Sequence, residues 1–428
     1  MNTVKHEIYW VMLAETLGPR SHALRPLLAH FKGPEEIFAA DEAALKEALP
    51  DIGAGTLSSI LHQRHQEAAK QMVYWCHGNG IGILTYDSDR YPACLRELEQ
   101  PPAVLYYRGK LPAFEKRLTL GMVGARKCDA YGQQVAYKLS FELSAANTIV
   151  VSGLAEGVDG MAAAGALNAG GTPVAVIGCG IDLTYPKEHT RLAAEVADRG
   201  VILSEFALST PPNAWNFPMR NRLISALSNG VVVVQGGATS GSLITARYAL
   251  AQGKPLFAVP GNITSPLSVG VNRLLAAGAH PALDTEDLLS YFNFLYRDAI
   301  RVSALPEAMQ YSMLTPQALR PFGLRMIEEE KKPAEQEQSR AEKPHRLKRR
   351  KKAEESPEKS TEAASIAPNT AALTPRQREL FSMLPDGSFS LDALTARGVP
   401  VSEAASSLTM FEIYGLTRSI PGGMFEKN

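Results

Sequence analysis

Two turns in the sequence contain the residue types that bind phosphate groups. The first, "GAR", follows an apolar run and places Arg126 two residues after Gly124. The second, "ATSGS", offers Ser240, Gly241 and Ser242 immediately before an apolar, helix-like segment. Backbone N–H groups and the helix dipole at the start of a helix both favour an anion. Taken alone, the second turn also fits an ordinary serine-capped helix. The two turns together predict a phosphate-binding site.

A third group of polar residues occurs in "WNFPMRNRLISALS", where Arg220, Asn221 and Arg222 follow Pro218 at the start of a helix. Neighbouring residues on a helix point in different directions. One arginine can therefore reach a ligand while the other pairs within the fold, and the sequence leaves open which of them does so.

The spacing of the polar residues argues against several enzyme classes. There is no GxxxxGK[ST] and no G-x-G-x-x-G followed by an acid, so neither a P-loop nor a dinucleotide site is expected. Asp159, Asp182 and Glu205 follow predicted strands, but we expect them to cap helices or pair with arginines rather than bind Mg²⁺. No base lies near Ser152 or Ser240 in the sequence. We therefore predict no catalytic residue, no metal and no cofactor.

These turns require a scaffold that brings them together. From about 115 to 297, short β-rich runs alternate with helical segments, and four of the runs end in "VGAR", "SGLAEG", "IGCG" and "QGGATSGS". Apolar strands alternating with helices predict an α/β fold with a Rossmann-like, doubly wound parallel sheet. Ligands bind at the carboxyl ends of the strands in such sheets. All four turns are expected at that edge.

Composition divides the rest of the chain. Short amphipathic helices are predicted at the N-terminus, and "RLKRRKK" lies in a region of mixed charge with almost no large apolar residue, which is typical of disorder. Three helices and a hairpin near the C-terminus predict a winged helix, whose recognition helix "SEAASSLTMFEIYG" contains no lysine or arginine and so favours a protein-interaction role. The predicted boundaries are a helical domain over 1–75, a core over 76–300, a disordered charged linker over 301–372 and the winged helix over 373–428.

Overall composition limits the partners and the compartment. Lys+Arg and Asp+Glu both number 44, so a nucleic acid must be held by a local basic patch. The four cysteines form no CxxC pair, which favours the reducing cytoplasm over a disulfide framework. No run of eighteen apolar residues occurs, so no membrane span is expected.

The motifs "GARKCDAYG", "SGLAEGVDGMAAAGAL", "AVIGCGIDLTYPKEH", "NFPMRNRLISALS" and "TSGSLITARYALAQGKPLFAVPGN" occur in this order. Together the sequence resembles the DNA processing protein A family, DprA or Smf. The resemblance implies a Rossmann-like core that binds single-stranded DNA, preceded by a SAM-like helical domain. It also implies a homodimer that passes the strand to the recombinase RecA during natural transformation, without enzymatic activity.

The resemblance also implies which residues contact DNA. In addition to Arg220, the candidates are Arg126, Ser152, Gly153, Lys187, Asn221, Arg222, Ser240, Gly241, Ser242 and Asn272. The sequence departs from the family at Ala163, where histidine is usual, and at Gln235, where glutamate is usual.

Two other functions are considered. A divergent copy that acts as a regulatory, antitoxin or defence scaffold, with DNA as its signal, fits the same residues. A nucleotide phosphoribohydrolase is less well supported, because "QGGATSGSLIT" has no glutamate where a "PGGxGTxxE" motif requires one.

Overall fold

The computed structural model describes residues 2–327 and, nearer the C-terminus, residues 375–385, 387–390, 392–397, 399, 404, 407–408, 411, 416–420 and 424–427. The chain divides into two compact units, 1–335 and 336–428. The predicted charged linker beyond 327, including "RLKRRKK", lies outside the described residues. In the part of the chain that is described, no helix is long and apolar enough to cross a membrane.

Six helices precede the first strand, as the amphipathic spacing predicts. Trp10, Leu27 and Val73 are fully buried, and they belong to the same hydrophobic cluster as Leu120 of the central sheet. The N-terminal helices therefore share their core with one face of that sheet. They are α1 (Asn2–Leu17), α2 (Leu24–His30), α3 (Pro34–Ala39), α4 (Glu42–Ala48), α5 (Ala54–Leu61) and α6 (Gln66–Gly78).

A nine-stranded sheet lies at the centre of the first unit. Its strands are β1 (Gly82–Thr85), β2 (Val104–Gly109), β3 (Thr119–Val123), β4 (Ile149–Ser152), β5 (Val174–Val176), β6 (Val201–Ser204), β7 (Gly230–Val233), β8 (Leu256–Ala258) and β9 (His280–Pro281). The spatial order is β1-β2-β6-β5-β4-β3-β7-β8-β9. All pairs from β6 to β9 are parallel, whereas β1 and β2 form an antiparallel edge. The predicted α/β class with a doubly wound parallel sheet is confirmed.

The helices that connect these strands, together with one helix after β9, cover both faces of the sheet. They are α7 (Ala93–Arg96), α8 (Ala130–Ala145), α9 (Val158–Asn168), α10 (Thr190–Arg199), α11 (Asn216–Ala226), α12 (Ser242–Ala251), α13 (Val269–Ala276) and α14 (Thr285–Tyr296). The chain runs outward from β3 to β6 and then returns to β7 on the other side of β3. The strand order reverses between β3 and β7, and ligands bind at such a reversal in open α/β sheets.

The segment 301–327 corrects the predicted start of the linker. Ser312 donates a 2.7 Å hydrogen bond to the buried carboxylate of Glu142, and the side chains of Leu319 and Phe322 are fully buried. Short segments interrupted by prolines carry too weak a periodicity to be recognised from the sequence, so composition alone places the start of the linker too early. It contains two helices, α15 (Leu305–Tyr311) and α16 (Pro316–Leu319).

The second unit contains a small core of its own. The strands β10 (Ser388–Phe389), β11 (Thr417–Ile420) and β12 (Met424–Lys427) form an antiparallel sheet in the order β10-β12-β11. Two helices, α17 (Pro375–Ser382) and α18 (Asp392–Thr395), are described with it. Most of the predicted recognition helix lies outside the described residues, so the winged helix stays a prediction.

Candidate nucleic-acid interface

A cleft of about 500 Å³ opens where the strand order reverses. Its walls are the loops after β3 and β7 and the first turns of α11 and α12, because the carboxyl ends of parallel strands meet at one edge of the sheet. The predicted residues that line it are Arg126, Arg220, Asn221, Ser240, Gly241 and Ser242.

Arg126 presents an exposed guanidinium to this cleft. Its Cζ atom lies 4.5 Å from the centroid of the Phe217 ring, in the geometry of a cation–π contact. No ion pair joins Arg126 to any residue that the structure describes, so its charge is available to an anion. In particular, no ion pair between Arg126 and Asp159 is found in the described structure, although Asp159 was expected to cap a helix or pair with an arginine.

Gln235 holds the loop that carries Arg126. Its side-chain Nε2 donates to Asp129 Oδ1 at 2.9 Å, and its Oε1 accepts from the Asp129 amide at 3.1 Å. Its backbone carbonyl accepts from the Ala125 amide at 2.8 Å. Asp129 also caps α8 by accepting from the Gly132 amide. A glutamate at 235 would set a second carboxylate against Asp129, so the glutamine that departs from the family pattern is matched to this loop.

Arg220 forms the floor of the cleft beside Asp159. Its Nη1 donates to the Gly153 carbonyl at 2.8 Å and to the Val176 carbonyl. Burial and the nearby Arg126 lower the pKa of Arg220 to about 10, although Asp159 opposes that shift. Burial raises the pKa of Asp159 to about 6, although Arg220 and hydrogen bonds oppose that shift. Two arginines and one acid lie together here, so this part of the cleft carries more positive than negative charge.

Arg222 does not face the cleft. Its Nη2 donates to both Glu205 carboxylate oxygens, at 2.5 and 2.6 Å, and both side chains are almost completely buried. Residues two positions apart on a helix are rotated by about 200° from each other. Arg220 and Arg222 therefore lie on opposite sides of α11. The predicted DNA contact of Arg222 is therefore corrected to a structural ion pair.

Ser152 and Gly153 lie behind the cleft rather than on its surface. The Ser152 hydroxyl donates to the Met122 carbonyl at 2.7 Å and is buried. A Cβ added at Gly153 would lie 2.5 Å from the Arg220 guanidinium. Both predicted DNA contacts are therefore corrected: these residues support the wall of the cleft from behind. Position 153 requires glycine because the Arg220 guanidinium occupies the space of a Cβ.

The other two predicted residues also lie outside the cleft. The Asn272 side chain accepts from the Gly261 amide at 3.2 Å and donates to its carbonyl at 3.0 Å, so it fixes a loop. Lys187 is exposed but lines a different and larger cleft. The sequence motifs alone did not distinguish residues that line this cleft from a residue that fixes a loop or one that lines another cleft.

The first turn of α12 supplies backbone donors. The Leu243 and Ile244 amides are bonded to the carbonyls of Ser240 and Gly241. The Ser242 amide has only a long 3.5 Å contact with the Ser240 hydroxyl. Because the first amides of a helix lack intrahelical partners, the amides of Gly241 and Ser242 are the ones an anion can reach.

Three residues of the cleft were missed as site residues. They are Phe217, exposed Lys127 and buried Asp159. Aromatic residues interleaved with basic ones are typical of single-strand binding, and "WNFPMR" carries that signal. No group of metal-binding side chains is found among the described residues.

Comparison with known proteins agrees with this fold. The DNA recombination-mediator protein A family matches residues 82–293. DNA processing protein DprA of Bacillus subtilis is 43% identical over 237 residues, which cover 55% of this chain and 80% of that protein.

Two solved structures extend the comparison. The X-ray structure of DprA from Streptococcus pneumoniae has a TM-score of 0.58 at 28% identity and covers 66% of this chain and 97% of that one. A structure of DprA from Helicobacter pylori, described for its single-stranded DNA binding mode, has a TM-score of 0.46 at 32% identity and covers 51% and 96%. The chain belongs to the DNA processing protein A family, DprA/Smf.

Proposed function

We propose that this chain binds single-stranded DNA in the cleft between β3 and β7, without catalysing a reaction. The observation that carries the proposal is the exposed Arg126 guanidinium, 4.5 Å from the Phe217 ring centroid, at the mouth of a cleft that also contains the first amides of α12. A cation and amides bind phosphates, and an aromatic ring stacks on bases.

Three features favour a single strand over a fixed nucleotide. The cleft is open and lacks a P-loop or metal-binding carboxylates among its lining residues. Its guanidinium and backbone amide groups bind a phosphate backbone without recognising the base sequence. Stacking on Phe217 requires an unpaired base, which a duplex does not offer. Membership of a recombination-mediator family supports the same conclusion.

A titration across pH tests the proposal. We expect the full-length protein to bind a fluorescent oligothymidylate and to bind it more tightly as the pH falls from about 7.5 to about 5. Protonation of Asp159, whose pKa is about 6, removes a negative charge from the cleft. The gain in affinity should reach about tenfold. Because the folded-state pKa is raised, ionising Asp159 also costs folding free energy as the pH rises through about 6.

The matched control is Asp159→Asn, which should bind tightly at every pH and lose most of the pH response. Burial lowers the pKa of His189, so protonation of this histidine at low pH is expected to leave only a small response in Asp159→Asn. A protein that binds no oligothymidylate at any pH would refute the proposal. Binding with the same pH response in both proteins would place the DNA elsewhere.

The proposal includes two protein partners. An apolar face at α14, with exposed Leu283, Tyr291, Phe294 and Leu295, supports a homodimer, since contiguous exposed apolar surface marks interaction sites. Sedimentation of the wild type as a dimer and of Phe294→Glu as a monomer would support it, whereas a monomeric wild type would exclude it. We propose RecA as the recipient of the strand, and the family description, a recombination mediator, supports a recombinase partner. Failure to stimulate RecA filament formation on coated single strands would exclude that step.

A further inference from the structure

A second cleft is built partly by residues that the family match does not cover. The match ends at residue 293, whereas the wall of this cleft includes Arg320, Arg325 and Ile327. The Gln133 side chain fixes that wall by donating to the Arg325 carbonyl at 3.2 Å and accepting from the Ile327 amide at 2.8 Å. The cleft has a volume of about 1650 Å³. The residues around Arg325 therefore form one wall of a large cleft, and hydrogen bonds to Gln133 fix that wall in place.

The lining of the second cleft is basic. Lys187, Arg191, Arg320 and Arg325 all line it and are exposed. Among the residues that the structure describes, none of the four has an ion-pair partner. Glu188 is the one acid in the lining. Four cations against one carboxylate suit a chain of phosphates, which carries one charge per residue.

Contacts between aromatic side chains connect this cleft to the first one. Arg126 lies over Phe217, and the Phe217 ring centroid is 5.5 Å from that of Tyr185. Tyr185 is 39% exposed and precedes Lys187 by two residues. A strand that leaves the first cleft over these two rings therefore arrives at Lys187, on the edge of the second.

We propose that single-stranded DNA continues from the first cleft into the second, where Arg191, Arg320 and Arg325 bind its phosphates. This inference rests on the proposed function and adds to it a longer binding site, part of which is made by Arg320 and Arg325, outside the family match. Continuity with an aromatic, basic path favours DNA over an acidic peptide. The competing occupant is the acidic run Glu328-Glu329-Glu330, which follows Ile327 in the sequence.

The experiment compares oligothymidylates of about 6 to about 40 nucleotides on three full-length proteins. The test variant is Arg191→Ala/Arg320→Ala/Arg325→Ala. The matched control, Lys110→Ala/Lys116→Ala/Arg301→Ala, removes the same charge from exposed side chains at the amino-terminal edge of the sheet.

We expect the test variant to bind the shortest oligomers like the wild type and to lose roughly ten- to a hundredfold affinity for the longest. Its salt slope on the longest oligomers should fall by about 2, from three contacts of about 0.7 each. The control should match the wild type at every length. If the triple variant melts early, Arg325→Gln alone should show one third of the slope change.

Three results would overturn the inference. They are equal binding by the test variant at all lengths, an equal loss at all lengths, and tighter binding of long oligomers. The last would indicate that the acidic run occupies the cleft instead. Failure of the proposed function is distinguishable, because then the wild type would bind no oligomer of any length.

Discussion

Replacing Arg126 with alanine is expected to weaken single-stranded DNA binding by roughly ten- to a hundredfold. The reason is that Arg126 is an exposed cation at the mouth of the first cleft, with its guanidinium over Phe217. A charge-assisted hydrogen bond to phosphate contributes about 1.5–3 kcal/mol, and each contact releases counterions. The slope of log affinity against log salt should therefore fall by about 0.7, measured by fluorescence titration at several salt concentrations.

Arg126→Lys is the matched control for this substitution. Lysine keeps the charge but loses the planar fork that binds a phosphate with two hydrogen bonds and stacks on an aromatic ring. It should recover the salt slope and only part of the affinity. Thermal unfolding of both variants should follow the wild type, because Arg126 is exposed. An Arg126→Ala variant that melts early while keeping the wild-type slope would make this arginine structural.

The scaffold was predictable because local patterns determine it. The runs that became β3 to β8 are apolar and short, and each is followed by a turn or helix signal. Parallel topology then places the turns after β3 and β7 at one edge. For this reason Arg126 and the Ser240–Ser242 turn, both expected at that edge, line one cleft.

The residues that the sequence misassigned depend on long-range packing. The direction of a side chain on α11 is set by the rotation of the helix against the sheet, so Arg220 and Arg222 are equivalent in sequence and opposite in space. The segment 301–327 depends on contacts such as Ser312 to Glu142, 170 residues apart. The local composition of the sequence does not predict such a contact.

Arg222→Ala is the second substitution with a large expected effect, and it should act on stability rather than on DNA. Removing one partner of a buried ion pair leaves the other charge uncompensated and costs about 3–5 kcal/mol. Here the stranded group is Glu205, whose two oxygens lose their 2.5 and 2.6 Å hydrogen bonds. We expect early thermal unfolding of the first unit. Where the variant is still folded, its salt slope for DNA should equal that of the wild type.

The double variant Arg222→Met/Glu205→Leu distinguishes the loss of the whole ion pair from the effect of leaving one buried charge without its partner. Apolar replacement of a complete buried ion pair is often neutral or stabilising, and here it also removes the Arg222 Nε and Nη1 atoms, which are buried without a partner in the described structure. The double variant should therefore unfold close to the wild type and well above Arg222→Ala. A normal melting temperature for Arg222→Ala, together with a salt slope lowered by about 0.7, would return Arg222 to the DNA path. That result would require α11 to turn its opposite face to the ligand, and Arg220 would then lose its place in the cleft.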